Sequence, residues 1–592
     1  MILAHHGAPR AHIIVSEHAS AATHRAANEL AKYIYKISGT TLNILKAERG
    51  LICNADVGEI CVGLTGRPDE PDISGLKNDG YIHKLVGNRM FILGENDRAI
   101  LHAVYAFLED ELGCRFFTDT VEHIPQRKYL TISDIDKVVI SPFEYREIFG
   151  NVCFEDDEYA SKRGLNGQHY KMDKEHGGSL LYQGFVHTFD YYVPVFEFFE
   201  EHPEYFSMID GKRFDGGDRK YGGNGAYMVN TQLCLSNPDV VRIVTERLRK
   251  EIEAHPEAKI FSISQSDWGR PCQCPECMAI NEEEGSYSGS LIRFINQVAD
   301  NIAEDYPDVI IDTLAYQYGR TAPKFTRVAP NVAVRICTIS CCFSHPLRAC
   351  DADKGKADTL YPGNNVSVDI KDWGKVCDRM YVWDYVTIFE HYFNPMPNFH
   401  VLQDNIQFFL ENHVVGIFEQ GNGEDLSGEF NELRYYILSK LLWEPYGDVD
   451  RWMREFMSAY YGMGAGPLRE YMDAMKKLVI DEDIHVYISS NPLNGHTPAW
   501  LLELADKKFD EAERLADNEE VLERIRRSRM QVKYCKLFQL GADPNTDPVK
   551  YAVECEKFIA DVKYFGFTRI REGWKLETSF ENLRNRTTMM DD

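Results

Sequence analysis

Apolar and polar positions along the chain switch between two periods. Near the amino terminus, short β-leaning runs at 12–15, 42–45, 59–64, 81–86 and 90–93 alternate with stretches of helical spacing. Ala21 to Ile37 puts Ala26, Leu30, Tyr33, Ile34 and Ile37 on one face and then meets Gly39, a helix stop. The runs 81–86 and 90–93 face each other across Gly87-Asn88, a hairpin signal. A second helix is predicted from Arg98 to Leu112, ending at Gly113. Residues 1–135 therefore read as a small α/β domain in which nothing looks catalytic.

From Phe143 the texture changes to apolar runs whose ends turn polar, as buried parallel strands do where they emerge at their carboxyl ends. Eight such runs are predicted: 145–147, 165–167, 185–187, 260–263, 309–318, 332–339, 380–385 and 414–420. In the fourth, Ile260 to Ile263 is followed by Ser264, Gln265, Ser266, Asp267 and Trp268. An amphipathic helix then begins near Ser290, with Leu291, Phe294, Ile295 and Val298 on one face. Eight strands with crossovers over ~300 residues match a (β/α)8 barrel, which presents its chemistry at strand ends. Residues 136–447 are read as that barrel, TIM-like, within an overall α/β class.

Beyond Glu444-Pro445 the spacing is helical over 450–461, 466–479, 499–516, 519–538 and 548–564. Thr497-Pro498 reads as an N-cap and first-turn pair ahead of Trp500, Leu501 and Leu504. Residues 448–592 are thus predicted to be a helical domain packed on the barrel. A chain of 592 residues is too long for one core, which agrees with several domains.

Charge narrows the partners. The net charge of -27 argues against nucleic acid or an anionic membrane, both of which need a basic footprint. No apolar run approaches the ~20 residues that span a bilayer. The start, MILAHHGAPRAHIIV, lacks a basic opening and a continuous apolar core, so no secretion signal is expected. The 15 scattered cysteines fit reduced thiols and a cytoplasmic location; a trimmed leader would make the protein secreted instead. Oligomeric state is left open, a homo-oligomer included.

The ordered set YRE, VHTF, EHPEYFSMIDGKR, QLCLSNP, SQSDW…CQCPEC, LAYQY, VWDY, FEQG and ELRYYILSKLLWEP resembles the bacterial domain of unknown function 4838. That domain is similar to glycoside hydrolase family 163, whose characterised members are endo-β-N-acetylglucosaminidases. The front, with ELAKYIYKISG, GYIHKL and AVYAFLEDELGCRFF, resembles the amino-terminal domain of family 67 α-glucuronidases and its counterpart in family 20 hexosaminidases. The likeness runs over about residues 10–465. It implies a barrel that hydrolyses glycosidic bonds in an oligosaccharide, without a cofactor. An α-glucuronidase-like activity on uronic acids and a non-catalytic carbohydrate-binding protein are the alternatives.

Glycoside hydrolysis needs two carboxyls about the scissile bond, or one acid plus the substrate's own acetamido group. Asp267 is the first candidate, since a neighbouring indole, Trp268, can raise a carboxyl's pKa enough for it to donate a proton. Glu419, between Phe418 and Gln420, is the second. Glu147 and Asp384 are further strand-end acids. By the resemblance to family 20, Arg146 and His187 stand where sugar hydroxyls are held, although an Arg146–Glu147 pair would be a structural alternative. Trp383, Tyr385, Tyr316 and Tyr318 offer flat faces for a pyranose ring. Where family 20 has an adjacent Asp-Glu pair, this chain has Ser266-Asp267-Trp268, so the substrate-assisted mechanism does not transfer directly.

Cys272, Cys274 and Cys277 form C-x-C-x-x-C, one thiolate short of a closed zinc site. His345, Cys341, Cys342 or Cys350 are the fourth ligands considered. A loop of packed thiols without metal is the expectation.

Overall fold

The computed structural model describes residues 1–47, 57–154, 156–217, 220–221, 227–228, 230–350 and 365–586. At the amino-terminal end, helix Ala21–Ser38 begins where the Ser20 hydroxyl accepts the Thr23 N–H. It ends at Gly39, whose φ of +69° lies in the left-handed region that glycine enters without cost. With helix Asp97–Asp110 it packs on a six-stranded mixed sheet ordered 136–139, 81–86, 89–94, 58–62, 11–15, 44–46. Leu30, Ile34, Val104 and Phe107 join one buried cluster with Ile13, Ile60 and Ile92. The last strand of this sheet, Asp136–Val139, follows the predicted end of the domain at 135.

A second sheet is all parallel. Its strands are β1 (Tyr145–Phe149), β2 (Tyr182–Gln183), β3 (Ile260–Ser262), β4 (Ile310–Ala315), β5 (Val332–Cys337), β6 (Met380–Tyr385) and β7 (Val414–Gln420). They lie in the order β1-β7-β6-β5-β4-β3-β2. Every pairing is parallel. The sheet curls, and among the described residues its two end strands, β1 and β2, do not pair.

The expectation of eight strands is thereby corrected to seven. Leu165 to Gly167 is not a strand, yet it fills the seam between β1 and β2. The Asn166 N–H donates to the Arg146 carbonyl and the Asn166 carbonyl accepts the Leu180 N–H, at 3.1 and 2.8 Å. The Asn166 side chain adds a bond from the Arg146 N–H and one to the Glu144 carbonyl, both 2.8 Å. One asparagine does in this place what a strand does elsewhere. A Cβ on Gly167 would lie 2.4 Å from the carboxyl carbon of Glu147, so the seam also requires glycine there. The third predicted run is displaced as well. The strand ends at Gln183, where Gly184 takes φ +63°, and His187 follows at φ +55°, both outside extended backbone.

Strand alternation sorts side chains to two faces. Tyr145, Tyr182, Ile260, Ala333, Tyr381 and Phe418 cluster inside the curl. Ile148, Phe261, Ile311, Val334, Val382 and Ile417 face outward into the main core. Among the inner residues, the Arg335 guanidinium lies 4.3 Å from the Phe185 ring centre and 4.8 Å from that of Tyr182, with Asp312 at 3.4 Å.

From Val449 onward the described elements are helical: 449–461, 465–481, 499–515, 519–528, 530–542, 548–564 and 576–585. The predicted helix 519–538 is two helices meeting at Arg529, which keeps helical φ and so leaves no mark in the spacing. Thr497 is not the cap. Its hydroxyl donates to the Pro492 carbonyl, and Pro498 stands at the N-cap position. Among the described residues, no helix is long and apolar enough to cross a membrane.

Arg146 belongs to this framework. It is fully buried, with Nε on the Gly164 carbonyl, an ion pair to Asp79 and its guanidinium 4.6 Å from the Trp443 ring centre. Arg98 shares Asp79. Burial opposes the charge on Asp79, but Arg98 and Arg146 outweigh it and hold the carboxyl well below its usual range. Arg146→Met would leave Asp79 with Arg98 as its remaining cation, and breaking one side of a buried pair costs up to about 3–5 kcal/mol. Denaturant unfolding of Arg146→Met is expected to show such a loss; a stability equal to wild type would contradict the framework role.

Candidate active site

Parallel strands turn their carboxyl ends to one side of the sheet, and a cavity of about 350 Å³ opens there. That volume falls within the ~300–1,000 Å³ of small-molecule sites. Six of the seven strands feed it, at their ends or just beyond. His187 follows β2, Asp267 follows β3, and Leu314 with Tyr316 comes from β4. Cys337 and Ile339 come from β5, Trp383, Tyr385, Phe389 and Glu390 from β6, and Gln420 from β7. The remaining wall is Ile488, Ser489 and Glu572, from the helical region.

Inward-facing alternation explains the aromatic side. Trp383 and Tyr385, two apart on β6, lie nearly parallel with centres 6.1 Å apart and 18° between planes. Trp383 Nε1 donates to Gln420 Oε1 at 2.7 Å, which fixes the indole. Behind it stand Phe185 and Phe418, at 5.5 and 4.9 Å between centres. Trp383 is thus backed by packed rings, a rigid platform for an apolar ring face.

Three carboxyls line the cavity. Asp267 Oδ1 accepts from the Tyr316 hydroxyl at 3.1 Å and from Gln317 Nε2 at 2.9 Å. Glu390 lies 3.6 Å from Arg571. Glu572 is pinned by its N–H to the Phe389 carbonyl at 2.9 Å. The neighbouring Gly573 N–H donates to Glu424 at 3.0 Å. The Glu572 side chain is exposed to solvent at the cavity mouth, but protein crowds it closely on the other sides. That desolvation, with the Glu424 charge, pushes its carboxyl up to about 7. His187 donates from Nδ1 to the Gln265 carbonyl at 2.7 Å, which leaves Nε2 as the acceptor of the neutral ring. Among the described residues, no lysine or arginine lines the cavity.

Of the residues singled out from sequence, the cavity brings together Asp267, His187, Tyr316, Trp383 and Tyr385. It does not include the others. Trp268 stacks on Phe214, 5.4 Å between centres and 25° between planes, and does not line the cavity. The expected indole wall beside Asp267 is therefore absent from it. Tyr318 is buried against Tyr287 rather than offered to a ligand. Arg146 pairs with Asp79, not with Glu147, and is sealed from solvent. Glu147 is likewise buried, inside the sheet, held by the Tyr145 hydroxyl and by His169 Nδ1 at 2.6 Å.

Asp384 and Glu419 are register partners on β6 and β7. Alternation turns both outward, away from Trp383, Tyr385 and Gln420. Asp384 accepts the Thr338 hydroxyl. Among the described residues, neither oxygen of Glu419 has a hydrogen-bond partner. Burial first, and the charge of Asp384 second, push Glu419 well above the usual range; burial also raises Asp384. Glu419 as acid/base and Asp384 as sugar ligand are both corrected: a shift of one residue along each strand separates them from the cavity. Glu390 and Glu572 went unread in the sequence. Glu572 lies in a stretch without helical or strand periodicity between helices 548–564 and 576–585, where no local pattern marks it.

Two clusters could hold metal. Cys234, Cys272, Cys274 and Cys277 are all buried with sulfurs within 4.8 Å of one another. Cys342, His345, Cys350 and His485 bring their ligand atoms within the same distance. The fourth thiol of the first cluster is Cys234, not any of the residues proposed from sequence. Cys277 lies on a helix, Pro275–Glu284, whose sequence PECMAINEEE has almost no apolar face to announce it.

The family described as Domain of unknown function (DUF4838) matches residues 116–473. No curated protein matches. Among solved structures, a family GH115 4-O-methyl-α-glucuronidase with specificity for decorated arabinogalactans has a TM-score of 0.55 at 10% identity, covering 100% of this chain and 79% of its own. A GH138 enzyme targeting pectin rhamnogalacturonan II gives 0.48 at 9%, over 94% and 74%. A family 89 glycoside hydrolase from Clostridium perfringens, in complex with GlcNAc-α-1,4-galactose, gives 0.43 at 11%, over 92% and 65%. The first of these shares the fold of this chain; at such identity the likeness concerns fold alone.

The position of Glu419 makes a stability prediction. Its folded-state pKa lies above the ~4.3 of an unfolded chain, so it favours folding at low pH and loses that contribution as pH rises toward the folded value. Glu419→Gln removes the titration. The variant is expected to melt close to wild type at pH 5 and several degrees above it at pH 8, with turnover kept. Loss of turnover in a stable Glu419→Gln protein would contradict this placement.

Proposed function

The chain belongs to the DUF4838 family, a domain of unknown function, and from that premise we propose that it is a glycosidase whose sugar binds in the cavity at the strand ends. The observation that carries the reading is the pairing, in one cavity, of a braced aromatic platform with three carboxyls and, among the described lining residues, no lysine or arginine. A pyranose presents an apolar face to rings such as Trp383 and Tyr385. Carboxyls about the glycosidic bond are what its hydrolysis requires.

The lining also speaks to the sugar. A uronic acid brings a carboxylate that needs a cation, and among the described lining residues it would meet the carboxyls of Asp267 and Glu390 and no lysine or arginine. A neutral sugar meets no such penalty. Leu314, Cys337, Ile339 and Ile488 add an apolar side that suits the methyl of an acetamido group. The reading is therefore a β-linked N-acetylhexosamine rather than a glucuronide, in line with the resemblance to family 163.

Glu572 is assigned the general acid. A carboxyl with a pKa pushed up to about 7 still carries its proton in a large share of molecules at neutral pH and can pass it to the leaving oxygen. Asp267, steadied by Tyr316 and Gln317, is assigned the opposing carboxylate that meets positive charge at the anomeric carbon or orients the acetamide. His187 Nε2 and Gln420 are assigned to sugar hydroxyls.

A panel of nitrophenyl glycosides and N-glycan oligosaccharides tests the class. N-acetylhexosaminides are expected to be cleaved and glucuronides left intact; the reverse preference would overturn the substrate assignment. Glu572→Gln should lower turnover on unactivated substrates by roughly 10²–10⁴-fold, and less on nitrophenyl ones, which need little protonation. Because Glu572 must be protonated, wild-type kcat/KM should fall as pH rises through about 7. A fully active Glu572→Gln enzyme would pass the acid role to Glu390. Asp267→Asn should lose turnover on both kinds of substrate at unchanged melting temperature; a drop in melting temperature alone would make it a structural residue.

A further inference from the structure

We propose that the chain holds two structural zinc ions, one in a four-cysteine site beside the β3 end and one in a Cys2His2 site that ties together two segments of the cavity wall.

The first site is built from chain segments far apart in sequence. Cys234 reaches Cys272, Cys274 and Cys277, and all four are buried. In a tetrahedral Zn–S₄ centre with bonds of ~2.3 Å the sulfurs stand ~3.8 Å apart. Cys234 Sγ and Cys274 Sγ lie 3.6 Å apart, far beyond a disulfide bond and close to that edge. The thiols do not belong to the main core. They form a cluster of their own, with the partly buried Met208 packed on it and the Ser236 hydroxyl 3.2–3.6 Å from the sulfurs of Cys234, Cys274 and Cys277. The surroundings suit thiolates: the Met208 N–H points at Cys272 Sγ at 3.3 Å, the Arg213 guanidinium lies 3.7 Å from the same sulfur, and Cys274 sits at the amino end of helix Pro275–Glu284. Four protein ligands close the shell, which is the mark of a structural ion rather than a catalytic one.

A different set of contacts carries the second site. Cys342 Sγ lies 3.3 Å from His345 Nδ1 and 3.2 Å from His485 Nδ1, and Cys350 Sγ lies 3.8 Å from His485 Nδ1. Sulfur and nitrogen ligands on one tetrahedral zinc stand ~3.6 Å apart. Both imidazoles offer Nδ1 inward and turn Nε2 toward one carboxylate, Asp483, at 3.5 and 3.8 Å. A carboxylate on the outer nitrogen is how metal-bound histidines are oriented. The two halves come from the segment after β5 and from the loop after helix 465–481. They also meet through the Phe343 N–H on the Val486 carbonyl at 2.8 Å. Ile339 and Ile488, each a few residues from these ligands, line the cavity. The ion would fix the cavity wall from behind while remaining outside it.

Metal analysis of the intact chain, produced without a histidine tag in zinc-supplemented medium and dialysed, tests both. Two zinc ions per chain are expected, released together with thiol titration by an organomercurial. The X-ray absorption shell should average three sulfurs at about 2.3 Å and one nitrogen at about 2.0 Å per zinc. Cys272→Ser with Cys277→Ser should remove one equivalent. His345→Ala with His485→Ala should remove the other and leave a shell of sulfur alone. A wild-type chain with only traces of metal, or a shell dominated by oxygen, would overturn the proposal even if a variant failed to fold. An equivalent that survives both substitutions at one cluster would overturn that site.

Discussion

A buried charge pair at the seam of the parallel sheet is the constraint on which the rest depends. The sheet curls through seven strands, and its end strands, β1 and β2, meet across Asn166 instead of across a ladder of hydrogen bonds. Asn166 Nδ2 donates to Asp79 at 2.8 Å, and Asp79 in turn binds Arg146 of β1 and Arg98 of an amino-terminal helix. A carboxylate with this many donors is stable in the interior, and loss of either cation would leave its charge less fully compensated. The amino-terminal sheet and the curled sheet are therefore locked at the point where the curl has the fewest backbone bonds. The carboxyl ends of the strands inherit their positions from that closure.

Inside the curl a second charge is handled differently. Arg335 sits among Tyr182, Phe185 and Trp383, with Asp312 as its acidic neighbour. Burial pushes Asp312 up to about 7, and the Arg335 charge pulls against it. Rings on a guanidinium pack as tightly as rings on an aliphatic core and add cation–π attraction. Trp383 is the member of this stack that also reaches the cavity, so its ring is held from behind by the sheet interior. The cavity has one side built on packed strands and another built from the helical region through Ile488, Ser489 and Glu572.

Much of this was legible in the sequence, for reasons that differ by region. β6 and β7 fall where the apolar runs place them, because parallel strands buried on both faces leave continuous runs. Asp267, Trp383 and Tyr385 follow, since strand ends are visible as the change from apolar to polar. What periodicity does not carry is phase. Asp384 and Glu419 sit at strand ends too, but one residue along the strand is the difference between the cavity and the outer core. Arg146 and Glu147 went astray for another reason: their partners, Asp79 and His169, are distant in sequence or lie in a loop. Glu572 and Cys234 needed the tertiary fold, because each joins its cluster across a long span of chain and neither stands in a motif.

The central claim is that a sugar binds where the strand ends meet the helical region, between the aromatic platform and the carboxyls. A crystal structure of the protein soaked with an N-acetylglucosamine-configured iminosugar measures this directly. The ring is expected to stack on Trp383 and Tyr385, with its anomeric position between Asp267 and Glu572. Ligand bound outside this cavity, with Trp383 and Glu572 left in contact only with solvent, would contradict it.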